Sequence, residues 1–127
     1  MASLTAERQF VRSDPDVLRR ALVVRPTHEV EQVPPVQGEP SPIADRALDE
    51  FEVLIRRLRG AGVETTVYDG ETAHPLACAA ADIAVVLQHG AVMMRPSDLS
   101  RHREVSAMED VFGKLGIPVI GRIDTPG

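Results

Sequence analysis

The chain is poor in the residues that staple or anchor a protein. Its 127 residues include one cysteine, Cys78, no tryptophan, one tyrosine and three phenylalanines. A lone cysteine closes no internal disulfide, and no set of Cys and His residues has the spacing of a zinc site. Neither a disulfide frame nor a metal or other cofactor is expected, and the natural setting is a reducing cytoplasm. No apolar run approaches the roughly 20 residues that cross a bilayer, and the N-terminus lacks the basic start and apolar block of a secretory signal, so no membrane partner is expected. Basic residues are also in deficit, 14 against 19 acidic ones, for a formal net charge of −5. That balance speaks against nucleic acid. The densest basic stretches, Arg56, Arg57 and Arg59 and then Arg101 to Arg103, are short, interrupted and read as solvated sides of helices.

What remains is the composition of a globular protein, 43% hydrophobic and 26% charged. It is long enough to bury a core without staples. Residues 1–20 read as an N-terminal extension and 21–127 as one α/β domain. Ala21 to Val24 is a short strand closed by Arg25-Pro26, because proline cannot continue a ladder. Glu31 to Pro42 carries Pro34, Pro35, Gly38, Pro40 and Pro42 among polar residues and reads as an extended surface loop. Ser41 as cap and Pro42 at the first helical position then open a helix, in which Ala44, Ala47, Leu48, Phe51, Leu54, Ile55 and Leu58 recur at three-to-four spacing. Gly60 and Gly62 end it.

Val63 to Tyr68 is a second strand, turned off by Asp69-Gly70. Asp82 to Leu87 and Ala91 to Met94 form a hairpin about Gln88-His89-Gly90. A second helix runs from about Arg101 to Leu115, with Val105, Met108, Phe112 and Leu115 on one side and Gly116 as its stop. Ile117 to Ile123 is the last strand. The expected core joins Leu48, Phe51, Leu54 and Leu58 to Val67, Val85 and Val92. The two helix exits are alike: Leu58-Arg59-Gly60-Ala61-Gly62-Val63 and Lys114-Leu115-Gly116-Ile117-Pro118-Val119 both pass through glycine straight into a β-branched strand. Such repetition points to a unit used twice, each covering its apolar face with the next.

Several of these pieces resemble the arginine deiminase and dimethylarginine dimethylaminohydrolase superfamily, which modifies guanidino groups and includes amidinotransferases. They are Leu22-Val23-Val24-Arg25-Pro26-Thr27-His28-Glu29, the helix leading into Gly62-Val63-Glu64, and Pro75 followed by Asp82-Ile83-Ala84-Val85-Val86. Further on come Ala91-Val92-Met93-Met94-Arg95-Pro96, Arg101-His102-Arg103-Glu104, and Leu115-Gly116-Ile117-Pro118-Val119. The resemblance covers about residues 20 to 127. It implies the first two of five ββαβ modules in a pseudosymmetric propeller around a substrate channel. It also implies a cytoplasmic hydrolase or amidinotransferase whose partner is a small arginine-like molecule.

The chain departs from that pattern before the hairpin. The family reads Pro-Asp, an aromatic and then Asp, whereas here Leu76 follows Pro75 and Ala79-Ala80-Ala81 precede Asp82, so only Asp82 carries over. The family's nucleophilic Cys, its His and their acidic partners lie in later modules, the first in a Glu-Gly-Gly-Asp-like segment after a Pro-Gly, and this sequence stops at Pro126-Gly127. No catalytic residue is therefore assigned, and Cys78 does not match the nucleophile's place.

Three residues are candidates for substrate binding. Asp82 opens an apolar strand, where a carboxylate must be paired, hydrogen-bonded or at a pocket rim; it either holds a guanidinium through paired bonds or caps a neighbouring turn. Arg95 and Arg101 either meet a substrate carboxylate or make surface ion pairs. Cys78 is expected as a small buried hydrophobe. His28, His74, His89 and His102 fall at turns and a helix start and show no metal-ligand spacing. Two functions follow: the N-terminal substrate-binding portion of an amidine-processing enzyme, inactive by itself, or a noncatalytic α/β module sharing only the fold. Either would leave apolar faces to be covered by self-association or by the missing modules.

Overall fold

The computed structural model describes residues 17–70 and 74–124. Strands and helices follow the expected order. They divide into two compact units, one comprising Arg20–Ala80 and the other running from Ala81 onward.

In the first unit, β1 (Arg20–Val24) and β2 (Glu64–Tyr68) lie parallel, with Val24 opposite Tyr68. Parallel neighbours need a crossover, and α1 (Ala44–Gly60) supplies it. A 3-10 turn at His28–Gln32, which takes in the start of the expected loop, precedes α1. This turn explains a correction. Ser41 does not cap the helix: the N-cap is Ile43 and makes no side-chain cap bond. Instead the first free amide, on Ala44, donates to Glu31 Oε1 at 3.0 Å, from a residue far upstream. The carboxylate there also suits the positive end of the helix dipole. At the other end Gly62 takes φ 83°, as a helix exit requires.

Only part of the expected face of α1 is buried. Ala44, Phe51 and Ile55 are, with Val24, Val63 and Ala77 from the rest of the unit, whereas Leu54 is 45% exposed. Leu54 lies one residue before Ile55, so one helix stripe cannot hold both at its centre.

The second unit is β3 (Ala84–Leu87), β4 (Gly90–Met93), α2 (His102–Leu115) and β5 (Val119–Arg122), with sheet order β3-β4-β5. β3 and β4 form the expected antiparallel hairpin, and β5 returns parallel to β4 through α2. The turn is Gln88-His89, since Leu87 already pairs with Gly90. Both units thus contain a β-α-β crossover; among the described residues only the second adds an antiparallel strand.

Ile83, Ala91, Met93, Met108, Val111, Phe112 and Ile117 form the buried set of this unit. Val85, expected in the core, is 44% exposed, and so are Leu87 (46%) and Ile120 (52%). β3 is an edge strand whose alternate residues face outward. Asp82 closes a 3-10 turn, Ala80–Asp82, and so stands just before the strand rather than opening it. Helix α2 ends at Gly116 with φ 73°, and Ile117 N–H closes back on the Phe112 carbonyl at 2.8 Å. Among the described residues no helix is long and apolar enough to cross a membrane.

Candidate functional site

All three candidate residues belong to the second unit, at one edge of its sheet. Because β3 runs against β4, the residues before β3 meet the carboxyl end of β4: Ala84 pairs with Met93, and Met94 N–H donates to the Ile83 carbonyl at 2.8 Å. β5 ends at that edge as well, since Met93 pairs with Arg122. The connection out of β4 enters α2 through a 3-10 turn, Leu99–Arg101, capped by Asp98, whose Oδ1 accepts from Ser100 N–H at 2.9 Å. The carboxyl edge of parallel strands, with a helix beginning beside it, is where open α/β sheets bind ligands.

Asp82 and Arg101 are brought together there. Arg101 Nη1 donates to Asp82 Oδ2 at 2.8 Å. The arginine is 3% exposed, and two more of its nitrogens reach Glu104, which is not among the three candidates. Nε reaches Glu104 Oε2 at 2.8 Å and Nη2 reaches Glu104 Oε1 at 3.2 Å, a fork-to-fork pair three positions apart on the chain. Hydrogen bonding to Glu104 raises the Arg101 pKa, while burial opposes it. The ion pair is therefore buried rather than a surface one. Exposure rises steeply along the triad, from 8% and 4% for the Glu104 and Arg101 side chains to 61% for Asp82. Two carboxylates share one guanidinium, leaving one net negative charge, and its open end is Asp82.

Arg95 lies apart from this triad. Its Nη1 donates to the Asp124 carbonyl, and it lines a cavity of about 210 Å³. The walls come from residues 93–96 after β4, from His102, Val105 and Ser106 on α2, and from residues 122–124 after β5. His102 Nε2 lies 2.8 Å from the Pro96 carbonyl, fixing the connection on one side. On the other, Arg122 forks onto Glu109 at 2.8 and 3.1 Å, which lowers the Glu109 pKa. The cavity thus combines apolar walls with guanidinium groups.

Cys78, expected to be buried, is exposed. His74 Nδ1 accepts from Leu76 N–H at 3.0 Å, a local turn contact. Among the described residues no group of three or more His, Cys, Asp and Glu gathers as a metal site. Glu104 had one sequence signal, an acid three residues after Arg101 in the first turn of a helix, but that pattern alone does not separate a buried pair from a solvated one.

No protein-family model and no curated protein sequence matches the chain. Solved structures do. A mutant of dimethylarginine dimethylaminohydrolase from Pseudomonas aeruginosa, complexed with citrulline, superposes with a TM-score of 0.76 at 21% identity, over 86% of this chain and 43% of that one. A dimethylarginine dimethylaminohydrolase adduct with 4-chloro-2-hydroxymethylpyridine gives 0.73 at 20% identity, over 87% and 42%. A His-to-Gly variant bound to S-methyl-L-thiocitrulline gives 0.77 at 20%, over 87% and 44%. The chain has the fold of these enzymes, as the sequence resemblance implied, and spans less than half the length of each.

Proposed function

We propose that the chain is the N-terminal, substrate-binding portion of an enzyme acting on arginine or a related guanidino compound, by hydrolysis of a non-peptide C–N bond or by amidino transfer. The observation that carries this reading is the Asp82–Arg101–Glu104 triad at the carboxyl edge of β4, whose surplus negative charge ends on an exposed carboxylate. A guanidinium presents paired N–H donors and a positive charge, the complement of such a carboxylate. The likeness to a hydrolase holding citrulline supports the same class of ligand. In this reading Asp82 holds the guanidinium and Arg101 holds Asp82. Arg95 takes the substrate's carboxylate, because Arg101 is already shared between two acids. The two units stand as the first two of five propeller modules. The attacking thiolate and its acid–base partners belong to later modules, so these residues alone release no citrulline or ammonia from arginine.

The exposed apolar side chains Val85, Leu87 and Ile120 support a further partner, the later modules or a second copy of the chain. Light scattering over a tenfold concentration series is expected to show self-association of the isolated chain; a monomer throughout would remove that part.

Binding tests the substrate reading. L-arginine is titrated into the chain by calorimetry, with L-norleucine as a control lacking the guanidinium. L-arginine alone is expected to bind, and Asp82→Asn is expected to weaken it roughly ten- to a hundredfold, as for a lost charge-assisted bond of about 1.5–3 kcal/mol. Equal affinity for both amino acids would leave a module that shares only the fold.

A further inference from the structure

Glu104 is buried with Arg101 at the inner end of the triad, and beyond its share of the charge it has been given no role. Its side chain is 8% exposed, in the first turn of α2, with both oxygens on Arg101. Burying an ion pair is a poor way to gain stability, because desolvation consumes most of the Coulomb attraction. What the arrangement does accomplish is geometric. An arginine has a long flexible stem, and one bond to an exposed aspartate would not fix it. With Nε and Nη2 locked on Glu104, the guanidinium plane is set, and Nη1 is left facing Asp82 at 2.8 Å. Glu104 also balances the charge. Without it, Arg101 and Asp82 would form a neutral pair, and the open carboxylate would hold a cation less strongly.

We infer that Glu104 is a positioning residue for guanidinium recognition: acting through Arg101, it orients Asp82 and keeps the site net negative. The inference rests on Asp82 being the guanidinium acceptor. It predicts that Glu104 affects ligand affinity only through Asp82, and that its influence reaches Asp82 whether or not a ligand is present.

The test uses the full chain and two readouts. The first is the NMR signal of the Asp82 carboxyl carbon at neutral pH, in the unaltered protein and in Glu104→Gln. Losing the paired carboxylate bonds to Nε and Nη2 releases the guanidinium plane that faces Asp82, so this signal is expected to move. The second is L-arginine affinity in a double-mutant cycle. Glu104→Gln is expected to weaken binding several-fold, and Asp82→Asn with Glu104→Gln to lose no more than Asp82→Asn alone. A merely structural glutamate would lower stability, leave the Asp82 signal in place and give additive losses. That result, in a folded variant, overturns the inference. Should Glu104→Gln fail to fold, Glu104→Asp is read by the same cycle; it keeps the charge but withdraws it by one methylene, and additive losses there overturn the inference equally. If L-arginine binds neither form, the proposed function falls, and an unmoved Asp82 signal alone then decides against the positioning role.

Discussion

The Arg25 guanidinium lies over the Phe51 ring, with its central carbon 5.4 Å from the ring centroid. Arg25 follows β1, and Phe51 is a buried residue of α1, so the contact joins the strand exit to the crossover helix. Nε reaches Asp69 just past β2 at 2.7 Å, Nη1 donates to Glu52, and the Arg25 N–H reaches the Tyr68 carbonyl at 2.8 Å. One side chain therefore ties three elements, with the ring beneath it inside the core and the acids in solvent.

That layering predicts unequal costs. Phe51→Ala removes buried surface and leaves a cavity, and should destabilise the first unit by roughly 3–5 kcal/mol. Arg25→Ala loses partly exposed ion pairs and one cation–π contact, together about 1–2 kcal/mol. Tyr68 is the chain's one tyrosine and lies in β2, so its fluorescence during urea unfolding reports on this unit. An Arg25→Ala loss as large as that of Phe51→Ala would show that the ion pairs, not the ring, hold the elements together.

Gly90 supplies a second prediction. It opens β4 with φ 152°, a conformation that L side chains rarely adopt, and a Cβ placed there would stand 2.4 Å from the Pro118 carbonyl oxygen. Ala91 N–H donates to that same oxygen at 2.9 Å at the entry to the β4–β5 pairing. Gly90→Ala should cost about 1–3 kcal/mol, the range for overpacking, and speed amide exchange at Ala91. Unchanged exchange at Ala91 would mean the strand accommodates a methyl group without moving.

These cases show what was legible in the sequence. Element order, the glycine exits at Gly62 and Gly116 and the hairpin follow from local rules, because backbone sterics and hydrophobic period act within a few residues. The Glu31 cap on Ala44 does not, since a side chain reaching across thirteen positions leaves no local trace and the nearer Ser41 matched the usual pattern. Leu54 and Val85 carried the right apolar period but lie beside the buried stripe or on an open strand face. At the site, Asp82 and Arg101 were found by resemblance, and their bond and the Glu104 pair appear only once the turn before β3 and the start of α2 are set side by side.

Acid should act on the second unit through Glu109. Its pKa is lowered from the ordinary 4.5 by hydrogen bonding to Arg122. A carboxyl whose folded pKa is depressed contributes stability above its unfolded value and loses it as pH falls through the folded value. The Glu109–Arg122 contribution is therefore expected in full at neutral pH and to fade below pH 4.5. Glu109→Gln should lower stability near neutrality and narrow its difference from the unaltered chain as the pH is taken down. A stability difference that stays constant with pH would show that Glu109 acts by packing alone.

The division of labour between Asp82 and Arg95 can be tested by choosing ligands that differ in one group. Agmatine keeps the guanidinium and chain of arginine but lacks its carboxylate. If Asp82 receives the guanidinium and Arg95 the carboxylate, Arg95→Ala should weaken L-arginine and leave agmatine unchanged, while Asp82→Asn weakens both. Each loss should be roughly tenfold or more, as for a charge-assisted hydrogen bond. Arg95 currently donates to the Asp124 carbonyl, so a ligand carboxylate must compete with that bond, and the L-arginine gain over agmatine is correspondingly reduced. Arg95→Ala also frees the end of β5, which is why agmatine is the needed control: a general loosening of the cavity would weaken both ligands alike. Equal losses for the two would remove Arg95 from the carboxylate role, and a loss confined to agmatine on Asp82→Asn would remove Asp82 from arginine recognition.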